Sequence, residues 1–380
     1  MHSWIEIDAD AFRRNLAEFR RITPEGASIM TVVKANAYGH GLRELAPIAA
    51  ESGAWLGVNS VAEAVEASSL GVEQPIAILG HSDPADAETI VRNHYRQVLY
   101  RLDVARALSD AAVKTGIRAR THLKIETGTH RQGVALDELE AFCAAVRALP
   151  EIEVEGIYTH FANIEDTLDP AYAREQLRRF QDGIRIVGGA GFKPAHIHTS
   201  ATAGAILFPE TAYTMVRIGI GAYGIWPSRE TQLAARERNR AITLTPVMSW
   251  KTRIAQVKKV AAGEYVGYGL TYQAGRAMRV AVLPIGYFDG YDRRLSNAGR
   301  VLVQGQFAPV VGRVAMNMTM IDVTDAAAEN DDEVVLLGKQ GPHEIRAEEL
   351  AERCGTIPYE FLCRINPQLP RGITESRASS

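Results

Sequence analysis

The feature that most constrains the fold is a regular alternation of short β-branched runs with amphipathic stretches over the first two-thirds of the chain. Eight runs have the spacing that parallel βα units require, and eight such units most simply close into a (β/α)8 TIM-type barrel. An open doubly wound sheet is the alternative, but no GxGxxG pattern follows the first strand. The predicted strands are 29–33, 55–58, 76–79, 97–100, 121–125, 155–160, 196–199 and 215–218.

A different pattern begins near Val247, where strand-like runs follow one another with glycine-rich turns and few helices. This pattern indicates a mostly antiparallel β domain. The predicted strands there are 249–260, 279–284, 300–303, 308–311, 319–323 and 333–337. We therefore predict a barrel over 9–235 and a β-rich C-terminal domain over 236–380, with the polar stretch 228–240 as linker. Residues 1–8 alternate like a strand, and we expect them to join the C-terminal domain.

Composition excludes several classes of protein. The 42 Lys+Arg nearly balance the 45 Asp+Glu, so the chain has no basic patch of the kind that binds nucleic acid. No apolar run reaches the roughly 18 residues of a membrane span, and the N-terminus does not resemble a signal peptide. Cys143, Cys354 and Cys363 are too scattered for a disulfide framework or a CxxC metal site. We expect a cytoplasmic protein with no metal, nucleic-acid or membrane partner.

Polar side chains follow the predicted barrel strands at the end where the active sites of such barrels lie. Several cations, a histidine and a hydroxyl at one rim cost free energy unless they share a function. These positions therefore predict a functional site. They are Lys34, Asn59, Lys124, His160, Ser200, Arg217 and Gly219.

The run around Lys34, VVKANAYGHG at 32–41, resembles the motif that binds pyridoxal phosphate in alanine racemases, the fold-type III family. Seven further blocks are similar to that family and follow in its order along nearly the whole chain. They are HLKIETG at 122–128 with RQG at 131–133, GIYTHFA at 156–162, VRIGI at 216–220, VGYG at 266–269, GYFDG at 286–290, GRVAMNM at 312–318 and PYE at 358–360. One block alone would be weak evidence for the family, but eight blocks in the family's order make the resemblance specific.

The resemblance implies how the cofactor, pyridoxal 5'-phosphate, is held. Lys34 supplies the amine of the Schiff base, and His160 lies against the ring. Arg217 faces the pyridine nitrogen. Because a guanidinium can only donate a hydrogen bond, the ring stays unprotonated, which favours racemisation over transamination. The residues implied to hold the phosphate are Tyr38, Ser200, Tyr359 and the backbone N–H groups around Gly219 and Ile220.

The resemblance also implies a base on each face of the substrate Cα. Lys34 serves one face, and Tyr268 arrives from the partner subunit to serve the other, so a homodimer is part of the mechanism. Arg131 is similar to the arginine that binds the substrate carboxylate, and Lys124 to a carbamylated lysine that pairs with it. The last two implied positions are Met316, a substrate contact from the second subunit, and Tyr287, which lines the access route.

The activity implied is amino-acid racemisation, foremost the interconversion of L- and D-alanine that supplies D-alanine for peptidoglycan. Four residues depart from the family pattern and leave a serine or broad-specificity racemase as the alternative. They are Ile218 for proline, Thr199 for asparagine, Asn317 for aspartate and His130 for glycine. A decarboxylase of the same architecture needs an acidic residue at the position of Arg217. A non-catalytic cofactor carrier leaves the Tyr268 and Met316 motifs without a role.

Overall fold

The structure is a computed structural model that describes residues 2–240 and 242–375. Residue 1 of the predicted N-terminal strand and residues 241 and 376–380 of the predicted C-terminal domain lie outside the described residues. The chain divides into two compact units. The barrel unit comprises Arg13–Ala37 and Leu45–Thr245, and the β unit comprises the segment ending at Phe12, Tyr38–Glu44 and the chain from Pro246 onward.

The first strand, β1 (Ser3–Asp8), belongs to the β unit, and helix α1 (Ala9–Ile22) follows it directly. The Asp8 carboxylate accepts a hydrogen bond from the Ala11 N–H at 2.8 Å, which satisfies one of the free donors at the start of α1. Eight strands of the barrel unit follow. They are β2 (Ser28–Val32), β3 (Trp55–Val58), β4 (Ile76–Ile78), β5 (Arg96–Leu99), β6 (Ala119–Lys124), β7 (Ile152–Tyr158), β8 (His196–His198) and β9 (Met215–Ile218).

These eight strands form one parallel sheet in the order β8-β7-β6-β5-β4-β3-β2-β9. Backbone hydrogen bonds from Thr214 N to Ile197 O at 3.1 Å and from Arg217 N to Ser200 O at 3.0 Å connect its first and last strands. The sheet therefore comes close to closing on itself, and the predicted TIM-type barrel is confirmed.

Helices separate the barrel strands along the chain, and their apolar faces pack into the core with residues such as Leu139 and Phe180. Ser60 and Ser228 cap two of them through backbone N–H groups, and Gly116 ends another in the left-handed conformation. The helices are α2 (Leu42–Glu51), α3 (Val61–Ser69), α4 (Ala87–Arg92), α5 (Leu102–Thr115), α6 (Leu136–Arg147), α7 (Ala171–Gly189), α8 (Thr202–Leu207) and α9 (Arg229–Glu237). Within the described part of the chain, none of the helices has the length and hydropathy that a membrane crossing requires.

The β unit contains the remaining strands, which pair mostly antiparallel, as predicted. One sheet has the order β14-β13-β16-β10-β1-β18, with β17 on β16, and the other has the order β11-β12-β15. The elements are β10 (Met248–Arg253), β11 (Gln256–Val260), β12 (Met278–Leu283), β13 (Arg300–Val303), β14 (Gln306–Pro309), β15 (Thr319–Asp322), β16 (Glu333–Gln340), β17 (His343–Ile345), helices α10 (Ala347–Arg353) and α11 (Pro358–Cys363), and β18 (Arg371–Thr374).

One local prediction was wrong, and a second segment has more structure than predicted. The predicted single strand 249–260 is two strands in different sheets. The two strands separate at residues 254 and 255, where the Ile254 N–H donates a hydrogen bond to Asp332 O and the Ala255 N–H donates one to Val282 O. The predicted linker 228–240 contains helix α9, whose first turn is capped by Ser228.

Candidate active site

The carboxyl ends of parallel strands meet at one edge of a barrel, and the barrel unit places several polar residues at that edge. Three of these residues follow a strand by two positions, and the others end a strand or lie next to its end. They are Lys34 after β2, Asn59 after β3, Lys124 at the end of β6, His160 after β7, Ser200 after β8, and Arg217 and Gly219 at the end of β9.

The segment Lys34–Tyr38 is a turn of left-handed helix. Ala35, Asn36 and Ala37 have φ and ψ near +50°, and Tyr38 has φ of 54°, although none of them is glycine. Each such residue costs about 1–2 kcal/mol relative to a right-handed conformation. Hydrogen bonds hold the turn, from Ala37 N to Val33 O at 2.9 Å and from Ala35 N to the Glu63 carboxylate at 2.7 Å. Strain of this kind clusters at functional sites, and here it directly follows Lys34, the predicted Schiff-base lysine.

Arg217 is the most extensively hydrogen-bonded residue of this edge, and only 4% of it is exposed. Its terminal nitrogens donate to the carbonyl oxygens of His198, Thr159 and Thr199 at 2.9–3.1 Å. They also contact the Nδ1 atoms of His198 at 2.8 Å and His160 at 3.2 Å. None of these contacts involves the Nε–H of Arg217. Its orientation is therefore fixed, with one donor left for a ligand.

Positive charge accumulates at this edge of the barrel. Burial, together with the charges of Arg131, Arg217 and Lys34, lowers the pKa of Lys124 to about 7. Burial and the same cations hold the pKa of His160 well below its usual range. A cluster of cations with neutral imidazole and amine groups binds anionic ligands and stabilises negative charge.

The loop after β6 carries Arg131 and is held by Glu126. One oxygen of the Glu126 carboxylate accepts hydrogen bonds from the N–H groups of Gly128 at 2.5 Å and Thr129 at 2.7 Å. These bonds to backbone donors outweigh the effect of burial and lower the pKa of Glu126. The next residue, His130, has φ of 52°, a conformation that favours glycine, which explains physically why glycine is common there in the family that the sequence resembles.

Lys124 and Gln132 join this loop to strand β6, since the Lys124 amine donates to the Gln132 side-chain oxygen at 3.0 Å. The Arg131 side chain is exposed beside them. The loop thus presents a guanidinium beside a buried amine whose pKa is near neutral.

Ser200 follows strand β8, and Gly219 and Ile220 follow strand β9 of the barrel unit. The hydroxyl of Thr202 accepts long hydrogen bonds from the N–H groups of Gly219 at 3.3 Å and Gly221 at 3.4 Å, and the Ser200 hydroxyl contacts that of Thr211. Hydroxyls and backbone N–H groups on a loop after a strand are the donors that phosphate oxygens take.

The β unit carries the other residues that the resemblance singled out. The rings of Tyr38 and Tyr359 lie 6.0 Å apart, because Gly39 lets this segment approach helix α11 so closely that a Cβ on it would lie 2.1 Å from Leu362 O. Tyr268 lies in a 3-10 turn between Gly267 and Gly269. Backbone N–H groups of the 287–288 turn donate to Ala315 O and Met316 O, which places Tyr287 near Met316.

Tyr268 is 74% exposed and Met316 is 55% exposed, together with other large apolar side chains of this unit. These exposed residues are Tyr265, Leu270, Tyr287, Phe288, Met318 and Ile357. Large apolar and aromatic side chains are typical of surfaces that bind another molecule when they form a contiguous exposed patch.

Sequence reasoning missed three residues that the structure places around Arg217. His198 accepts from Arg217, His122 contacts His198 at 2.9 Å between ring nitrogens, and the ring of Tyr158 stacks on His198 at 4.7 Å between centroids. A signal for His122 was present, because it lies two residues before Lys124 and therefore on the same face of β6.

Comparisons with known proteins agree with this arrangement. The family model "Alanine racemase, N-terminal domain" matches residues 7–227, and "Alanine racemase, C-terminal domain" matches residues 247–373. The alanine racemase of Syntrophobacter fumaroxidans is 42% identical over 366 residues, which cover 96% of this chain and 95% of the relative. That of Symbiobacterium thermophilum is 40% identical over 371 residues, which cover 97% of this chain and 96% of the relative.

The solved structures agree as well. Alanine racemase from Bacillus anthracis with bound L-Ala-P superimposes with a TM-score of 0.92 at 32% identity, covering 99% of this chain and 95% of that one. Alanine racemase from D-cycloserine-producing Streptomyces lavendulae superimposes with a TM-score of 0.92 at 31% identity, covering 99% of this chain and 98% of that one. The barrel, the antiparallel sheets and these similarities over nearly the full length place the chain in the alanine racemase family, whose members depend on pyridoxal phosphate.

Proposed function

We propose that this protein interconverts L- and D-alanine with pyridoxal 5'-phosphate as its cofactor. The observation that carries the proposal is the arrangement around Arg217. Its terminal nitrogens are bound to acceptors of the barrel, while Lys34 and Arg131 add positive charge at the same edge.

The chemistry of this donor set fits the cofactor. Lys34 offers an amine, and Arg217 offers its Nε–H to a pyridine nitrogen. The hydroxyl of Ser200 and the N–H group of Gly219, which here donate to Thr211 and Thr202, would turn to the phosphate together with the N–H group of Ile220. The family resemblance adds Tyr38 and Tyr359 to the phosphate donors and places His160 against the ring. When bound, the cofactor supplies an electron sink that acidifies the substrate Cα–H bond.

Two bases then move the proton. Lys34 and Tyr268 act on opposite faces of Cα, one removing the proton and the other delivering it. A tyrosine needs nearby positive charge to act as a base near neutral pH, and the cation cluster of the barrel edge supplies such charge. We propose that Tyr268 and Met316 act in the site of the partner subunit, which accounts for their exposure in a single chain.

The substrate carboxylate is bound by Arg131 in this proposal, and Lys124 holds Arg131 as a carbamate. Carbon dioxide reacts with an uncharged amine, and a pKa of about 7 leaves roughly half of the Lys124 amine uncharged at neutral pH. The modification turns a cation that repels Arg131 into an anion that pairs with it.

The biological setting follows from the same family. We propose a homodimer in the cytoplasm whose D-alanine supplies peptidoglycan, with Tyr287 lining the route to the site. Thr199 donates to Thr211 O at 2.7 Å and is turned into the barrel unit. His130 and Asn317 are the remaining departures that keep a serine or broad-specificity racemase as the second candidate.

One experiment tests the cofactor and the substrate together. Borohydride reduction of the holoenzyme should attach the cofactor to the peptide containing Lys34, and a Lys34→Ala variant should lose both the label and more than about a hundredfold of racemisation. A Lys193→Ala variant, which changes an exposed lysine elsewhere in the barrel unit, serves as the control. Racemisation of serine, lysine or arginine faster than alanine would refute the proposed substrate.

A further inference from the structure

A line of polar side chains runs through the barrel unit from Arg217 to Arg96, and we call it the relay. Arg217 Nη1 lies 2.8 Å from His198 Nδ1, and His198 Nε2 lies 2.9 Å from His122 Nδ1. His122 Nε2 lies 3.8 Å from a carboxylate oxygen of Glu155, which receives the Arg96 Nε–H at 3.0 Å. The relay thus joins the residue proposed to face the cofactor to an ion pair that begins at the first residue of strand β5.

The hydrogen bonds of the relay can run in only one direction. A guanidinium is always a donor, so His198 Nδ1 must accept and the proton of His198 must be on Nε2. That Nε2–H then donates to His122 Nδ1, which puts the proton of His122 on Nε2, where it faces Glu155. Arg217 at one end and Glu155 at the other therefore select the same tautomer in both imidazoles.

The backbone is shaped to hold this arrangement. Thr121 pairs with Val154 and His122 pairs with Gly156, so Glu155 is the extra residue of a β-bulge in strand β7. Bulges are rare in parallel sheets, and they redirect a side chain.

Gly156 is the second such feature, because a Cβ there would lie 2.7–2.8 Å from three atoms of the His122 ring. The absence of a side chain at 156 makes the space that the imidazole occupies.

The surroundings keep both imidazoles uncharged. His198 is fully buried, and burial together with Arg217, His122 and His196 holds its pKa well below the usual range. Burial also lowers the pKa of His122, although Glu155 opposes this effect. The Nε2 atom of His122 has no hydrogen-bond partner among the described residues, and Glu155 provides the carboxylate that it faces.

We propose that His122 and Glu155 are positioning residues for Arg217, which they hold in one orientation through His198. The role rests on the proposed function of Arg217 toward the pyridine nitrogen. Because Glu155 fixes the proton on His122 and His122 fixes the proton on His198, His198 always presents a lone pair to the guanidinium. The donor that remains on Arg217 is thereby kept in place during turnover.

The first test reads the tautomers directly in the holoenzyme. Nitrogen-15 NMR of protein labelled at histidine should show, for His122 and His198, an unprotonated Nδ1 and a protonated Nε2 at about pH 7. Signals are assigned from their loss in His122→Asn and His198→Asn variants. A proton on Nδ1 of either residue, or a doubly protonated ring, would overturn the relay.

The second test removes the charge of Glu155 while keeping its shape. We expect Glu155→Gln to shift the nitrogen signals of His122 and His198 and to lower kcat by about tenfold, with the KM for alanine changed by less than about twofold. Glu153→Gln is the matched control, because Glu153 lies two residues earlier on β7 in an exposed pair with Arg120. Equal kcat values in the two variants would overturn the proposal.

A third variant guards against loss of folding, since Glu155→Gln leaves Arg96 buried without its anion. The double variant Arg96→Gln with Glu155→Gln has no unpaired charge and should show the same nitrogen shifts and the same fall in kcat. If the wild-type protein shows the predicted tautomers but does not racemise alanine, only the proposed function is contradicted. Active protein without those tautomers would contradict the relay alone.

Discussion

The two units differ in how far they bury and fix the residues of the proposed site. In the barrel unit, Lys124, His198 and Arg217 are buried and each is hydrogen-bonded to neighbours within the same unit. In the β unit, Tyr268 and Met316 are largely exposed on turns. The barrel residues are therefore already oriented in a single chain, whereas Tyr268 and Met316 are open to solvent there.

This difference is consistent with the proposed division between cofactor binding by the barrel unit and proton transfer by Tyr268. Groups held by buried hydrogen bonds lose little conformational freedom when a ligand binds, which favours the fixed recognition of a cofactor. An exposed tyrosine on a turn acquires a defined position only when another surface covers it. If the proposed dimer is correct, variants of the β unit should impair turnover while cofactor binding by the barrel unit survives.

The largest effect on the β unit is expected for Tyr268→Phe. Loss of the hydroxyl removes one of the two proposed bases, so racemisation should fall by about a hundredfold to ten-thousandfold. Absorbance of the bound cofactor and its borohydride attachment to Lys34 should not change. Polarimetry or a coupled assay in both directions measures the loss.

Tyr265→Phe is the matched control, because Tyr265 is another exposed tyrosine three residues earlier in the chain. It should retain wild-type activity. Equal losses in the two variants would show that any hydroxyl on this surface matters, and the assignment of Tyr268 as a base would be wrong.

A smaller effect is expected from placing a charge on the exposed surface. Leu270, beside the proposed base, is 64% exposed, and we expect Leu270→Asp to weaken dimerisation and lower specific activity by about tenfold at dilute protein concentration, because an interface core excludes charge. Leu168→Asp is the control, since Leu168 of the barrel unit is 94% exposed. Sedimentation at several concentrations distinguishes the two, and an unchanged dimer in Leu270→Asp would remove this surface from the interface.

The barrel could be predicted because its strands are buried on both faces. Such strands appear in sequence as continuous β-branched runs, and the predicted bounds of β3 and β9 agree with the structure. The single predicted strand 249–260 was wrong for a related reason. Its strand-like pattern continues through a corner where the backbone passes from one sheet to another, and composition does not mark that corner.

The site could be predicted only in part. Lys34 was expected at a strand end, but nothing in Ala35 or Ala37 indicates a left-handed turn, because side-chain propensities oppose it and tertiary contacts impose it. The position of Glu155 could not be predicted either, because the direction of its side chain depends on a β-bulge that appears only in the register of β6 and β7.

A substitution at Lys124 tests the proposed carbamate and its hold on Arg131. A Lys124→Arg variant keeps the positive charge but cannot form a carbamate, so Arg131 should lose its partner and the KM for alanine should rise by about tenfold. With a pKa of about 7, the uncharged amine predominates above neutral pH. A carbon-13 carbamate signal from labelled bicarbonate should therefore weaken as the pH falls below about 7.

The variant Lys193→Arg is the control for replacing a lysine with arginine, because Lys193 is exposed. It should preserve both the carbamate signal and the KM. An absent signal in the wild-type protein above neutral pH would leave Lys124 as a hydrogen-bond donor to Gln132 and would contradict the proposed clamp on Arg131.

The smallest expected effect concerns the backbone that carries Arg131. His130 has φ of 52°, which strains any residue other than glycine, so His130→Gly should raise the free energy of unfolding by up to about 1 kcal/mol, less the entropy that glycine gains in the unfolded chain. His130→Ala keeps the strain and should bring no such gain. Urea denaturation compares the two, and equal stabilisation would mean that the imidazole, not the backbone, was the unfavourable element. If only glycine stabilises the protein, the loop beside the Lys124 amine is strained, and the barrel unit holds Arg131, the proposed ligand of the substrate carboxylate, at a measurable cost in stability.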